Sequence, residues 1–280
     1  MKKYANAQLF IVPSLIGMAV FFFIPAVATL YHAFTNVRGG FVFFSNFADV
    51  FGSAAFRLAA RNSLLFLAAS LPLGICVPFA LASAMQKVRR KQVFVVAFML
   101  PLIVPSGSVV FFWNTLFADN GAVNSLLFQA GMQTTPWFST NWSFAIVLMM
   151  FLFRNIGFNL VLYLAGYQLI DKEYYEVARI EGAGTFAIFR HVTFIYILPT
   201  TFLVFMMTII NSFRIFREIY LLFGRHPHQS IYMLQHFMSN NFAFANMQRL
   251  SVASTAISIA IMIIVVGIFF GQKKISDTFG

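Results

Sequence analysis

Asn155, Asn159 and Tyr163 recur at intervals of four residues inside one long apolar run, so a helix brings two amides and a phenol to one face, with Arg154 beside them. A second run carries Asn211, Arg214 and Glu218 at i, i+3 and i+7, again a single stripe. At about 1.5 Å per residue, Asn211 falls roughly 17 Å beyond Thr200, near the middle of a bilayer. Polar groups at that depth face a bundle interior or a watery cavity. Amides, hydroxyls and aromatic faces hydrogen-bond a carbohydrate more readily than they hold a metal ion. Asn155, Asn159, Tyr163, Asn211 and Arg214 are therefore candidates to line a path for a polar solute. Interhelical hydrogen bonding, with Arg214 paired to Glu218 one turn on, is the competing reading of the same residues. Arginine forks match carboxylate and phosphate, so Arg154, Arg214 and Arg217 leave open an acidic solute, a uronate-bearing oligosaccharide or a phosphorylated polyol, beside a neutral sugar.

Other chemistry is poorly supplied. The one cysteine, Cys76, sits inside an apolar run and reads as packing, without a disulfide framework or a Cys-rich metal site. His226, His228 and His236 fall in a connection with no carboxylates or cysteines at a ligand spacing. No Gly-x4-Gly-Lys-Ser/Thr loop is present, so the chain holds no nucleotide of its own. No catalytic residue, no metal and no cofactor bound by this chain are expected.

The elements that must position these residues are membrane helices. Of 280 residues, 60% are hydrophobic and 10% charged, with a mean hydropathy of +0.81. A net charge of +11 could suggest nucleic acid, but the lysines and arginines punctuate apolar runs and form no basic face. Runs long enough to cross lie near 9–34, 62–85, 93–117, 143–166, 192–223 and 250–271. The first follows Lys2 and Lys3 and has no small-residue cleavage site after it, so it reads as an uncleaved helix and not as a signal peptide. Lipid offers free backbone groups no partner and a closed barrel would show short alternating segments, so the fold class is all-α: one polytopic domain over 1–280 with six transmembrane helices. Eleven basic residues, Lys2, Lys3, Lys87, Arg89, Arg90, Lys91, Lys172, Arg179, Arg190, Lys273 and Lys274, fall on one side of that topology, against Arg38, Arg57, Arg225 and Arg249 on the other. By the positive-inside rule both termini are cytoplasmic. Prolines 13, 25, 72, 78, 101 and 105 kink the spans, either for motion or as static shape.

The connection at 168–191 then lies in the cytoplasm. Tyr174 to Ile180 reads as a short amphipathic helix, Gly182 and Gly184 as a sharp turn, and Thr185 as the cap of a second helix leading to Leu198 and Pro199. An amphipathic helix lying on the membrane surface is the plainer alternative. At Glu176, Ala178 and Gly182, and in the run Ala178-Arg179-Ile180-Glu181-Gly182-Ala183-Gly184, the sequence resembles the inner-membrane permeases of binding-protein-dependent ABC importers, in their carbohydrate branch. Val177 departs from that pattern, as do Val192, Phe194 and Ile195 at the return to the membrane. Further likeness lies at Pro13, Phe22, Pro25, Asn46, Phe47, Arg61, Asn62, Ser63, Trp113, Gly121, the Ile156 to Asn159 stretch, and Ser212 and Phe213.

The resemblance implies that the loop docks on an ATPase through Glu176, Ala178, Arg179, Glu181, Gly182 and Ala183, with ATP and Mg on that separate subunit. It implies further partners: a second permease in a heterodimer, a dimer of ATPase subunits, an extracytoplasmic solute-binding protein, a carbohydrate substrate and the lipid bilayer, but no nucleic acid. The expected location is the bacterial cytoplasmic membrane, multi-pass. An importer of a phosphorylated polyol and an ion-coupled secondary transporter are the alternatives. The second is weakened by the lack of any acid other than Glu218 near a span.

Overall fold

A computed structural model describes residues 11–279, with side chains from 11 to 271. Lys2 and Lys3, and the side chains of Lys273 and Lys274, on which the placement of the termini rested, lie outside these. Among the described residues the regular structure is helical, and the only strand pairing is an isolated bridge between Thr35 and Phe41. The helices are α1 (Val12–Phe34), α2 (Ser45–Gly52), α3 (Ala54–Met85), α4 (Lys91–Ile103), α5 (Ser106–Phe117), α6 (Ala122–Gln129), α7 (Trp142–Gln168) and α8 (Lys172–Ile180). After them come α9 (Phe194–Arg214), α10 (Phe216–Phe223), α11 (Leu234–Ala243) and α12 (Met247–Phe279).

Five stretches are long and apolar enough to cross a membrane: Val12–Phe34, Ala54–Met85, Trp142–Gln168, Thr185–Phe223 and Met247–Gly271. The expected third span, 93–117, is not one helix. It is α4 and α5, broken at Val104–Pro105, and the stretches on either side of the break are bent by 98°. Proline disfavours helical geometry in the residue before it, and Val104 accordingly has ψ 130. Inside α3, by contrast, Pro72 and Pro78 leave a continuous helix. Pro78 frees the carbonyl of Gly74 four residues back, and Asn159 Nδ2 donates to it at 2.9 Å. A buried amide from a neighbouring helix thus replaces the bond that proline removes.

Contacts group into two units. One takes the chain up to Ala59 with Phe237–Ile263. Within it Asn46 Nδ2 donates to the carbonyls of Ala33 and Thr35, both at 3.0 Å, closing the end of α1. Phe34, Phe41, Phe44, Phe47, Phe51 and Phe56 follow one another ring on ring. The other unit takes Ala60–His236 with the chain from Ile264 on. Its core runs along α7, where Leu160, Tyr163 and Leu164 pack with Ala82, Ile197 and Val204. Closer to the amino end of α7, Val147 and Phe151 pack with Phe66, Ile215 and Ile219. Glycines let the backbones approach: a Cβ on Gly157 would lie 1.9 Å from the Phe98 carbonyl oxygen of α4. Asn124 secures the connection before α7, its Nδ2 donating to Asp119 and Thr135 and its Oδ1 accepting from Thr135 N and Trp137 Nε1. Cys76, expected in packing, is exposed.

Candidate functional site

Where the broken span of α4 and α5 and the long span of α9 and α10 meet α7 there is a cavity of about 290 Å³. Leu102 of α4, Phe151, Arg154 and Asn155 of α7, Asn211 and Arg214 of α9, Ile215, and Arg217 and Glu218 of α10 line it. Leu102 is two residues before the break at Val104–Pro105, while Ile215, with helical φ -60 and ψ -20, joins α9 to α10 within one long span.

The charges are arranged unequally. Arg154 Nη1 donates to Glu218 Oε1 at 2.7 Å and to Ser106 Oγ at 2.8 Å, and Ser106 Oγ donates to the same carboxylate oxygen at 3.0 Å. Glu218 is buried and Arg154 half-buried. The competing reading of the sequence paired Arg214 with Glu218; the carboxylate instead goes to Arg154, 64 residues away in sequence. Arg154 of α7 and Ser106 of α5 reach the carboxylate from neighbouring helices, and Arg214 is left exposed. Arg214 and Arg217 are exposed in the cavity wall, and neither has an ion-pair partner among the described residues.

Of the five residues read as a path, the structure brings Asn155, Asn211 and Arg214 to this cavity. Asn159 is fully buried on Gly74 and Thr208, and Tyr163 is fully buried edge-on to Phe79. Those two lie on the same face of α7 as Asn155, but further along it, where α3 and α9 close over that face. Sequence reasoning did not find Ser106. Its one signal was its place just after Pro105, at the start of a helix.

The loop beyond α7 is built for rigidity. Asp171 caps α8, accepting from Glu173 N at 3.1 Å, with Glu173 in the first turn and Arg179 in the last, each complementing the helix dipole. The helix ends in a glycine turn: Ala183 N donates to Ala178 O at 2.9 Å, Gly182 N donates to Arg179 O at 3.0 Å, and Gly182 has φ 79. The spacing of Ala178 and Gly182 is therefore the geometry of this stop. Tyr175 and Ala178 pack inward, Tyr174 stacks on Tyr196 at 4.7 Å, and Tyr175 Oη meets Thr193 Oγ1 at 3.2 Å. Outward lie Glu176, Arg179 and Glu181 beside Val177 and the 85% exposed Ile180. Thr185, expected as a cap, is the first residue of the next helical turn; Gly184 holds the cap position and no side chain bonds there. A π-turn at Phe189–Thr193 then leads into α9, at the point where the family-like pattern lapses.

Residues 74–272 match the family described as binding-protein-dependent transport system inner membrane component. The chain belongs to that family. A relative over nearly its whole length is the arabinooligosaccharides transport system permease protein AraP of Bacillus subtilis, 27% identical and covering 99% of this chain and 90% of that protein. The sn-glycerol-3-phosphate transport system permease protein UgpA of Rhizobium meliloti is also 27% identical, covering 93% and 90%. Among solved structures, a bacterial alginate ABC transporter in complex with an alginate pentasaccharide-bound periplasmic protein superposes with a TM-score of 0.86 at 20% identity, covering 98% of this chain and 96% of that one. That likeness shows the fold.

This inner membrane component is a multi-pass protein of the bacterial cytoplasmic membrane, as its apolar helices require. The resemblance drawn at Glu176, Ala178 and Gly182 thus identified the family. Several of the other residues that carried it have local work: Asn46 closes α1, Asn62 Nδ2 donates to the Gln229 and Tyr232 carbonyls, and Ser63 Oγ accepts from Leu234 N. Among the described residues no three His, Cys, Asp or Glu side chains gather as metal ligands. His228 Nδ1 accepts from Ser230 N at 3.3 Å and His236 Nδ1 from Met233 N at 3.2 Å. His228 is bonded within its loop, and His236 bonds the backbone just before α11, on which it sits.

Proposed function

We propose that this chain is the translocation subunit of an ATP-driven importer of a sugar or oligosaccharide. It would form one half of the path with a second, similar permease, receive its cargo from an extracytoplasmic binding protein, and take its power from two copies of an ATPase that carry ATP and Mg. With α4 and α5 counted as one broken span, the chain crosses six times and both termini lie on the cytoplasmic side with α8. The observation that carries the reading is α8 and its glycine turn. They are fastened to the bundle through Tyr174, Tyr175 and Ala178, and turn Glu176, Arg179, Glu181 and Ile180 outward. A short helix held in this way transmits a push from a soluble partner, whereas a helix lying freely on lipid does not. The arabinooligosaccharide relative supports a carbohydrate cargo. Ion coupling is disfavoured because Glu218, the acid that could carry a proton, is held by Arg154.

The test is copurification of the ATPase with variants of the loop, together with uptake. Glu176→Lys reverses the charge at an exposed position and should lower both by about tenfold or more. ATPase binding and uptake unchanged from wild type in Glu176→Lys would remove the assignment.

A further inference from the structure

The cavity wall carries three arginines and one carboxylate. Resting on the importer reading, we propose that Arg214 and Arg217 are an anion-recognition site that selects a carbohydrate bearing a carboxylate or phosphate group.

Glu218 is paired with Arg154, and Ser106 donates to the same carboxylate oxygen. That leaves two guanidinium groups, three residues apart on either side of Ile215, open to the cavity and without a counter-ion among the described residues. Arginine stays charged at any ordinary pH. Two like charges this close together repel each other and are stabilised by an anion that arrives from outside. Planar guanidinium forks match carboxylate and phosphate oxygens in pairs. Around them Asn155 and Asn211 offer amides for hydroxyl groups, and Phe151 and Leu102 an apolar wall for a ring face. Charge and neutral groups together describe an acidic sugar and not a bare inorganic ion.

The experiment uses the whole assembly in proteoliposomes, with both permeases, the ATPase and the binding protein. Three probes are compared: trigalacturonate, its uncharged methyl ester and a hexose phosphate. We expect the wild type to take up trigalacturonate or the hexose phosphate in preference to the ester, and the better of the two names the anion. In an Arg214→Gln/Arg217→Gln double variant the ratio of anionic to ester uptake should fall about tenfold, the scale of losing charge-assisted hydrogen bonds. Lysine at both positions should restore part of the ratio. Both arginines are exposed in the cavity wall, so these variants should still copurify with the ATPase, which checks their folding. Uptake of the ester alone by the wild type overturns the proposal, as does an unchanged ratio in the double variant. With ATP-driven uptake and ATPase binding intact, either result leaves the importer reading standing. Loss of ATPase binding and of all ATP-dependent uptake in the wild type overturns that reading, and this one with it.

Discussion

Glu218 is buried, and Arg154 and Ser106 both donate to one of its carboxylate oxygens. Removing one member of such a pair leaves the other desolvated, which costs more than the pair gains by existing. Arg154→Met or Glu218→Leu alone should therefore destabilise the detergent-solubilised protein by about 3 kcal/mol, and both together by much less. Thermal unfolding of the three variants checks this. His236 supplies a second prediction at this scale. Nδ1 accepts a bond from Met233 N, so the proton sits on Nε2, which is buried without a partner. Burial lowers the pKa from 6.5 to about 4. The unfolded chain then binds the proton first, so the stability from a neutral His236 is complete above pH 6.5 and is lost as pH falls towards 4. His236→Gln should flatten the pH dependence of the unfolding temperature in that window.

At the scale of elements, α4 and α7 meet at Gly157, where a methyl group would run into the Phe98 backbone. Backbone cannot swing aside as a flexible side chain does. Gly157→Ala should separate the helices and cost about 1–3 kcal/mol by overpacking, whereas Gly267→Ala, with nothing within 4 Å of the added carbon, should be neutral or mildly stabilising. Melting temperatures of the two variants make the comparison. The spans themselves were legible because lipid demands long apolar runs, and hydropathy reports length directly. Hydropathy is blind to direction, so the 98° bend at Val104–Pro105 was read only as a proline kink within one span. Spacing of four left Arg214 as one possible partner of Glu218, and only the packing of separate helices could show that Arg154, 64 residues away in sequence, takes the carboxylate. Asn159 was recognised as a polar group on the face of Asn155. That it answers the carbonyl freed by Pro78 needed the positions of two helices 85 residues apart. The helix and glycine turn after α7 were legible because a glycine stop is local geometry, although the cap of the next turn is Gly184 and not Thr185.

The whole molecule leaves apolar surface that its own contacts do not cover. None of the apolar window of α1 is buried, and Phe21, Phe22 and Phe23 are 74%, 71% and 59% exposed. Such a face calls for an apolar partner such as lipid. On the proposed pairing with a second permease, coexpression with that permease should lengthen the half-life of this chain in the membrane several-fold, as binding to the folded state does, and pulse-chase labelling measures it. Gly182 has a consequence of another kind. Its positive φ of 79 is combined with nothing within 4 Å of the missing side chain, so within this chain the constraint there is one of handedness and not of size. A mirror-image D-alanine at 182, introduced by chemical ligation, should preserve the turn as well as glycine does, while ordinary L-alanine strains it by about 1 kcal/mol. If the D-residue nevertheless loses the ATPase, the space at Gly182 belongs to the partner.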